Sequence, residues 1–171
     1  MANRIIAIGG EPATGKTTLM KNIIKDLMPL KTFKYKLVRG LYNSKKNIYI
    51  IGIYDESLFA GTDKLSMATQ PDFIKLLSIL KDSVIIFEGD RLFNQSLFDN
   101  VPCKILVLSA DKNIIEQRHI KRNDTQTEQF KKAKNTKINN IVNNNDVVIL
   151  NNNTKSDHTN NKKYILNLIY K

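Results

Sequence analysis

Cysteine occurs once, at Cys103, and histidine only at His119 and His158, in a chain of 171 residues. A single thiol excludes an internal disulfide framework and fits a reducing cytoplasm. With no Cys/His cluster, a zinc site is not expected. Cys103 lies in Val101-Pro102-Cys103-Lys104, at the entry to an apolar run, and reads as packing. No apolar run approaches the roughly 20 residues that a membrane helix needs. The chain opens on a strand pattern and not on a signal peptide, so the sequence predicts a cytoplasmic protein without a membrane partner. Acidic residues are the minority, 16 against 27 basic, for a net charge of +11. Such a surface attracts anionic partners, nucleotides or DNA, and speeds their encounter. The same excess also arises in a chain rich in Lys, Asn and Ile, as an AT-rich genome encodes. Charge alone does not separate the two accounts.

The length suits one domain spanning residues 1–171, with a substantial core. Strand patterns recur at Arg4–Ile8, Tyr35–Arg39, Asn47–Tyr54, Ser83–Phe87, Lys104–Leu108 and Val147–Leu150. Helical spacing of apolar residues appears at Lys16–Leu27, Pro71–Leu80, Lys112–Ile120, Thr127–Val142 and Asn161–Tyr170. Strands alternating with helices predict an α/β fold with a mostly parallel sheet covered on both faces, three layers in all. Residues 38–49, with Asn43-Ser44-Lys45-Lys46 at the centre, read as a β-hairpin inserted into that scheme. The Asn clusters at 143–145, 151–153 and 160–161 read as loops or caps.

Gly10-Glu11-Pro12-Ala13-Thr14-Gly15-Lys16-Thr17 fits the phosphate-loop pattern G-x-x-x-x-G-K-[ST], between a strand and a helix as the pattern requires. Its glycines let backbone N–H groups turn inward on phosphate oxygens, and the following helix presents its positive end to the same anion. Gly10, Ala13, Thr14, Gly15, Lys16, Thr17 and Thr18 are therefore the candidate nucleotide-binding residues. Lys16 would reach the outer phosphates of ATP, and the Thr17 hydroxyl would ligate Mg²⁺.

A second strand ends in Phe87-Glu88-Gly89-Asp90-Arg91. Ligands of parallel sheets lie beyond the carboxyl ends of the strands, so Glu88 and Asp90 are candidate Mg²⁺ ligands, with Glu88 the stronger and Asp90 alternatively facing the acceptor. Arg91 is a candidate contact for the acceptor or the phosphoryl group. Residues 54–67, between a strand and a helix, mix acids, small residues and aromatics and suit an acceptor pocket. Asp55, at the strand tip, is the leading candidate base. Asp63 is the second, and equally fits an N-cap for a turn at Lys64. Phe59 and Tyr54 can stack on an acceptor base or simply pack.

The segment 112–137 carries Lys112, Arg118, Lys121, Arg122, Lys131, Lys132, Lys134 and Lys137 against only Glu116, Asp124 and Glu128. It reads as two helices around a polar break, a lid over residues 112–142. Arg118 and Arg122 are four apart, share a helix face, and carry the forks that suit phosphate oxygens. Lys131, Lys132 and Lys134 read as a solvated face. Thr154-Lys155-Ser156-Asp157 matches the guanine-reading [NT]-K-x-D only loosely. A loop near the nucleotide base at 151–157 is the expectation, without guanine specificity.

Phosphate loop, acid-bearing strand end and arginine-bearing lid together resemble the P-loop kinases of small molecules and polynucleotides, over nearly the whole chain. The stretches Gly61-Thr62-Asp63-Lys64-Leu65-Ser66-Met67 and Phe87-Glu88-Gly89-Asp90-Arg91-Leu92-Phe93 look like those of phage-borne ATP-binding kinases. Within that group the chain is similar to kinases that phosphorylate 5-hydroxymethyluracil in phage DNA. The resemblance implies transfer from Mg·ATP to a hydroxyl on a DNA base, with Asp55 as base and Arg118 and Arg122 as lid arginines. The hairpin at 38–49 departs from the simplest nucleotide kinases and leaves the acceptor open. A deoxynucleoside monophosphate kinase and a non-kinase NTPase or DNA-binding module are the alternatives.

Overall fold

In a computed structural model, which describes residues 2–56 and 60–171, the chain forms a three-layer α/β/α arrangement. The first strand, β1 (Arg4–Gly10), is buried along all but its first residue. It lies between β5 (Val84–Glu88) and β6 (Lys104–Ser109), pairing parallel with each. β7 (Val147–Asn151) continues the parallel sheet beyond β6, and β4 (Ile48–Ile51) does so beyond β5. Strands covered on both faces can be apolar throughout, as Val84-Ile85-Ile86-Phe87 is.

Apolar side chains on the two sheet faces build two cores. On one face α1 (Lys16–Asp26) and α6 (Lys155–Tyr170) cover Ile6, Ile8, Ile86 and Leu106. Leu19, Met20, Ile23 and Leu27 make the inward stripe of α1 and its cap. Each such burial contributes about 1.5–3 kcal/mol. On the other face α2 (Thr69–Ile79), α3 (Gln95–Asn100) and the C-terminal half of α5 (Glu128–Asn144) pack around Phe73, Phe87, Phe93 and Ile138. Among the described residues no helix is long and apolar enough to cross a membrane.

Three expectations need correction. Tyr35–Arg39 is not one strand. It breaks at Lys36, whose φ is 50°, so that β2 (Lys31–Tyr35) and β3 (Val38–Asn43) form an antiparallel hairpin ahead of the expected one. A turn inside an unbroken β-branched and aromatic pattern leaves no Gly or Pro signal. The expected hairpin, β3 with β4, does form. Its second strand, however, is an integral parallel partner of β5, and only β2 and β3 are added at the edge. The sheet order is β2-β3-β4-β5-β1-β6-β7. The short helix α3, capped by the Asn94 side chain accepting from Leu97 N–H, spans only six residues, too few to show helical periodicity.

Antiparallel pairing also decides which loops share an end. The carboxyl ends of β4, β5 and β1 lie together, and the β2–β3 turn joins them, since Gly52 N–H donates to the Arg39 carbonyl. The β3–β4 turn therefore lies at the opposite end, where Asn47 binds the Lys81 and Asp82 carbonyls and Lys46 binds the Tyr170 hydroxyl. Lys45 and Lys46 are thus far from the phosphate loop, whereas Arg39 is on its side.

Candidate functional site

The loop between β1 and α1 is held by backbone conformations that few residues adopt. Gly10 has φ 147°, Ala13 φ 66° and Gly15 φ 94°. A Cβ at Gly10 would stand 2.4 Å from the Leu108 carbonyl oxygen, so the strand next door enforces glycine there. Thr14 Oγ1 donates to the Glu11 carbonyl at 2.8 Å, closing the loop on itself. The Lys16 ammonium donates to the Gly10 and Glu11 carbonyls, both at 2.9 Å, within the same loop. Thr18 is exposed on the first turn of α1.

Glu88 ends β5 in register with Ile8, the residue leading into that loop. Its carboxylate is 2% exposed and accepts from the Thr17 hydroxyl at 3.2 Å. Burial, with the nearby Asp63 charge, pushes its carboxyl from 4.5 up to about 7 against the opposing pull of the Lys16 ammonium. Burial also holds the Lys16 amine below its usual range, although Glu88, Asp90 and Asp63 attract its charge. The buried Tyr54 hydroxyl faces the same carboxylate, and among the described residues neither it nor the buried Thr62 Oγ1 has a well-formed hydrogen bond. A Cβ on Gly61 would come 2.5 Å from Glu88 Oε1, so the Gly61 backbone presses directly on this group.

The other candidates take varied places. Asp63 lies inside a 3₁₀ turn (Thr62–Lys64) whose cap position is Gly61. It does not cap its own turn, and its Oδ1 instead accepts from Asp90 N–H at 2.7 Å. The Asp90 carboxylate is paired with Lys134 and lies 3.6 Å from Lys137. Burial alone would raise Asp90, but these lysines hold it below the ordinary carboxylate range. Lys134, expected on a solvated face, is therefore a partner of this strand end. Arg91 donates from Nε to the Leu65 carbonyl at 3.1 Å, bracing the 62–66 wall. Asp55 is at the rim, its carboxylate paired with Lys64 and its carbonyl accepting from Lys21. Phe59 lies outside the described residues.

Arg118, on α4 (Lys112–Lys121), donates to the Ala13 carbonyl at 3.1 Å and the Asn152 carbonyl at 2.7 Å. One turn on, exposed Arg122 is close enough for its charge to disfavour that of Lys16. Asn152, just past β7, belongs in sequence to an Asn-rich loop with no assigned role. It is 3% exposed and donates from Nδ2 to the Thr14 carbonyl at 2.7 Å. Its place beyond the carboxyl end of a parallel strand was the signal that could have found it. Thr154-Lys155-Ser156-Asp157 is a capping box that starts α6, with Thr154 and Asp157 satisfying each other's backbone N–H groups. Helix capping thus accounts for the likeness to a guanine-reading motif. Among the described residues no three His, Cys, Asp or Glu side chains cluster as metal ligands do.

No protein-family model matches the sequence, and no curated protein matches it. Among solved structures the chain is similar to an unliganded sugar kinase from a Janibacter species. The two share 12% identity and a TM-score of 0.53, over 98% of this chain and 94% of that one. At that identity the likeness speaks for the α/β/α fold.

Proposed function

We propose that the protein is an ATP-dependent phosphotransferase acting on a hydroxyl. The observation that carries this reading is the pairing of Thr17, at the end of the phosphate loop, with the buried Glu88 at the end of the adjacent parallel strand. A hydroxyl and a carboxylate side by side at the first helical turn are the donor set that suits Mg²⁺, with water and phosphate oxygens completing its shell. Thr17 and Glu88 would hold the ion, which supplies neutralisation of phosphate charge. Loop N–H groups and the positive end of α1 bind the β- and γ-phosphates. Lys16 exchanges its two loop carbonyls for phosphate oxygens. Arg122 and the Arg118-bearing face of α4, with the N-terminal part of α5, form the lid that brings cations to the spreading charge.

The acceptor enters beside residues 54–56 and 60–66, where Asp55 or Asp63 takes the hydroxyl proton. The finer reading, a hydroxymethylated pyrimidine in DNA, is supported by the sequence likeness and by the net charge of +11. The test is transfer from γ-labelled ATP to a panel of nucleosides, nucleoside monophosphates, plain DNA and hydroxymethylated DNA, with Lys16→Ala as control. Loss of a positioned cation costs about 3–4 kcal/mol of barrier, some 10²–10³-fold in rate. Near-normal turnover by Lys16→Ala would sink the phosphate-loop reading.

A further inference from the structure

Beside the acceptor segment a recess of about 260 Å³ opens between the β2–β3 hairpin and residues 62–66. Four of the eight residues lining it are cationic, Lys34, Lys36, Arg39 and Lys64, and none is acidic. Two have carboxylate neighbours: Lys36 lies 3.9 Å from Asp72, and Lys64 pairs with Asp55. Lys34 and Arg39 have no carboxylate within ion-pair distance among the described residues. The register places these two directly opposite each other across β2 and β3. Like charges directly opposed on one face of a sheet are destabilising, and an anion bound between them would relieve that.

The recess also adjoins the chemistry. Arg39 receives Gly52 at the end of β4, and Ile53, which lines the recess, bridges to Gly61. Gly61 is the residue pressed against the Glu88 carboxylate. Lys64 follows Gly61 by three residues, so its Cα is at most about 11 Å from it. Leu37, Ile53 and Leu65 supply an apolar lining between the cations. Charge above apolar wall, one short span from the phosphate loop, suits an organic phosphate more than an uncharged sugar.

We infer that this recess is an anion subsite for the acceptor, so that the substrate phosphorylated at the Glu88 site carries a phosphate group of its own, held by Lys34 and Arg39 with Lys36 and Lys64. The inference rests on the phosphotransferase reading. It narrows the acceptor to phosphorylated compounds, either a free nucleotide or a nucleic-acid strand, which share this chemistry.

The test compares the full-length protein with Lys34→Gln/Arg39→Gln and with Lys45→Gln/Lys46→Gln, which removes equal charge at the opposite end of the sheet. Probes are inorganic phosphate, a deoxynucleoside 5′-monophosphate and a short single-stranded oligodeoxynucleotide, with ATP affinity and circular dichroism measured in parallel. Two exposed charge contacts together make about a tenfold difference in affinity. The Lys34/Arg39 variant should lose about that much for phosphate-bearing probes, and its salt slope on the oligonucleotide should fall by about one to two. The Lys45/Lys46 variant should match the parent. With the phosphate loop saturated by ATP, low-salt phosphate should raise the melting temperature of the parent and not of the Lys34/Arg39 variant. Mononucleotide binding that needs Lys34 and Arg39 supports a free nucleotide as source. Binding of the oligonucleotide alone supports a strand. Equal losses in both variants, or loss in neither, overturn the subsite. ATP binding separates the layers: a parent that fails to bind ATP refutes the phosphotransferase reading, whereas intact ATP binding with unchanged phosphate binding refutes only the recess.

Discussion

Replacing Glu88 with Gln should stabilise the ligand-free protein at neutral and alkaline pH while disabling phosphoryl transfer. The carboxyl is displaced from 4.5 to about 7 because burial disfavours its charge more than Lys16 and Thr17 favour it. That displacement corresponds to about 3 kcal/mol of differential interaction. Between the two values the native protein holds a proton that the unfolded chain has released. Stability from this group is therefore fully present below about 4.5, is lost as pH rises, and reaches its floor above about 7. His158 acts in the opposite sense. Burial, with Lys162 and Arg118, holds its ring below 6.5, so its stabilising contribution is lost as pH falls. Both proteins retain that histidine, so the difference between their stability curves isolates Glu88. Urea unfolding of parent and variant across pH 4 to 8 should give a difference near zero at the acid end and about 3 kcal/mol in favour of Gln at the alkaline end. For a chain of this size that is roughly 6–12 °C in melting temperature. A flat difference curve, or a Gln variant less stable than the parent at pH 8, would refute the argument from a buried carboxylate.

Two further outcomes follow from the loop and its neighbours. Asn152→Ala strands the Thr14 carbonyl and leaves open the space against Gly15, where Asn152 Nδ2 lies 2.5 Å from a would-be Cβ. It should cost about 1–3 kcal/mol in urea unfolding and weaken ATP about tenfold by calorimetry, and unchanged ATP affinity would show that Asn152 does not position the loop. Gly61→Ala places a Cβ 2.5 Å from Glu88 Oε1 and 2.8 Å from the Glu88 carbonyl, at φ 77° and ψ −146°. That backbone region is nearly exclusive to glycine, so a loss of about 1–3 kcal/mol is expected. It should come with reduced Mg²⁺-dependent ATP binding, and parental stability would contradict the close packing of 61 on 88.

Local patterns were enough for several features. Apolar runs such as Ile5-Ile6-Ala7-Ile8 and Val84-Ile85-Ile86-Phe87 specify strands buried on both faces, because only a covered parallel sheet accepts them. The phosphate-loop glycines and the Leu19, Met20, Ile23 stripe locate a strand, turn and helix, because positive φ and helical periodicity are written residue by residue. Glu88 was legible as the acid at a strand end. Other features depend on partners distant in sequence, and only the tertiary structure decided them. That Asp90 pairs with Lys134, that Asn152 holds Thr14, and that Glu88 is buried enough to titrate near 7 each require residues from different elements to meet. Pairing direction, too, sends Lys45 and Lys46 to the far end while bringing Lys34 and Arg39 together beside the site. Charge in a sequence is a sum over residues, whereas a binding surface depends on which of those charges the sheet register makes neighbours.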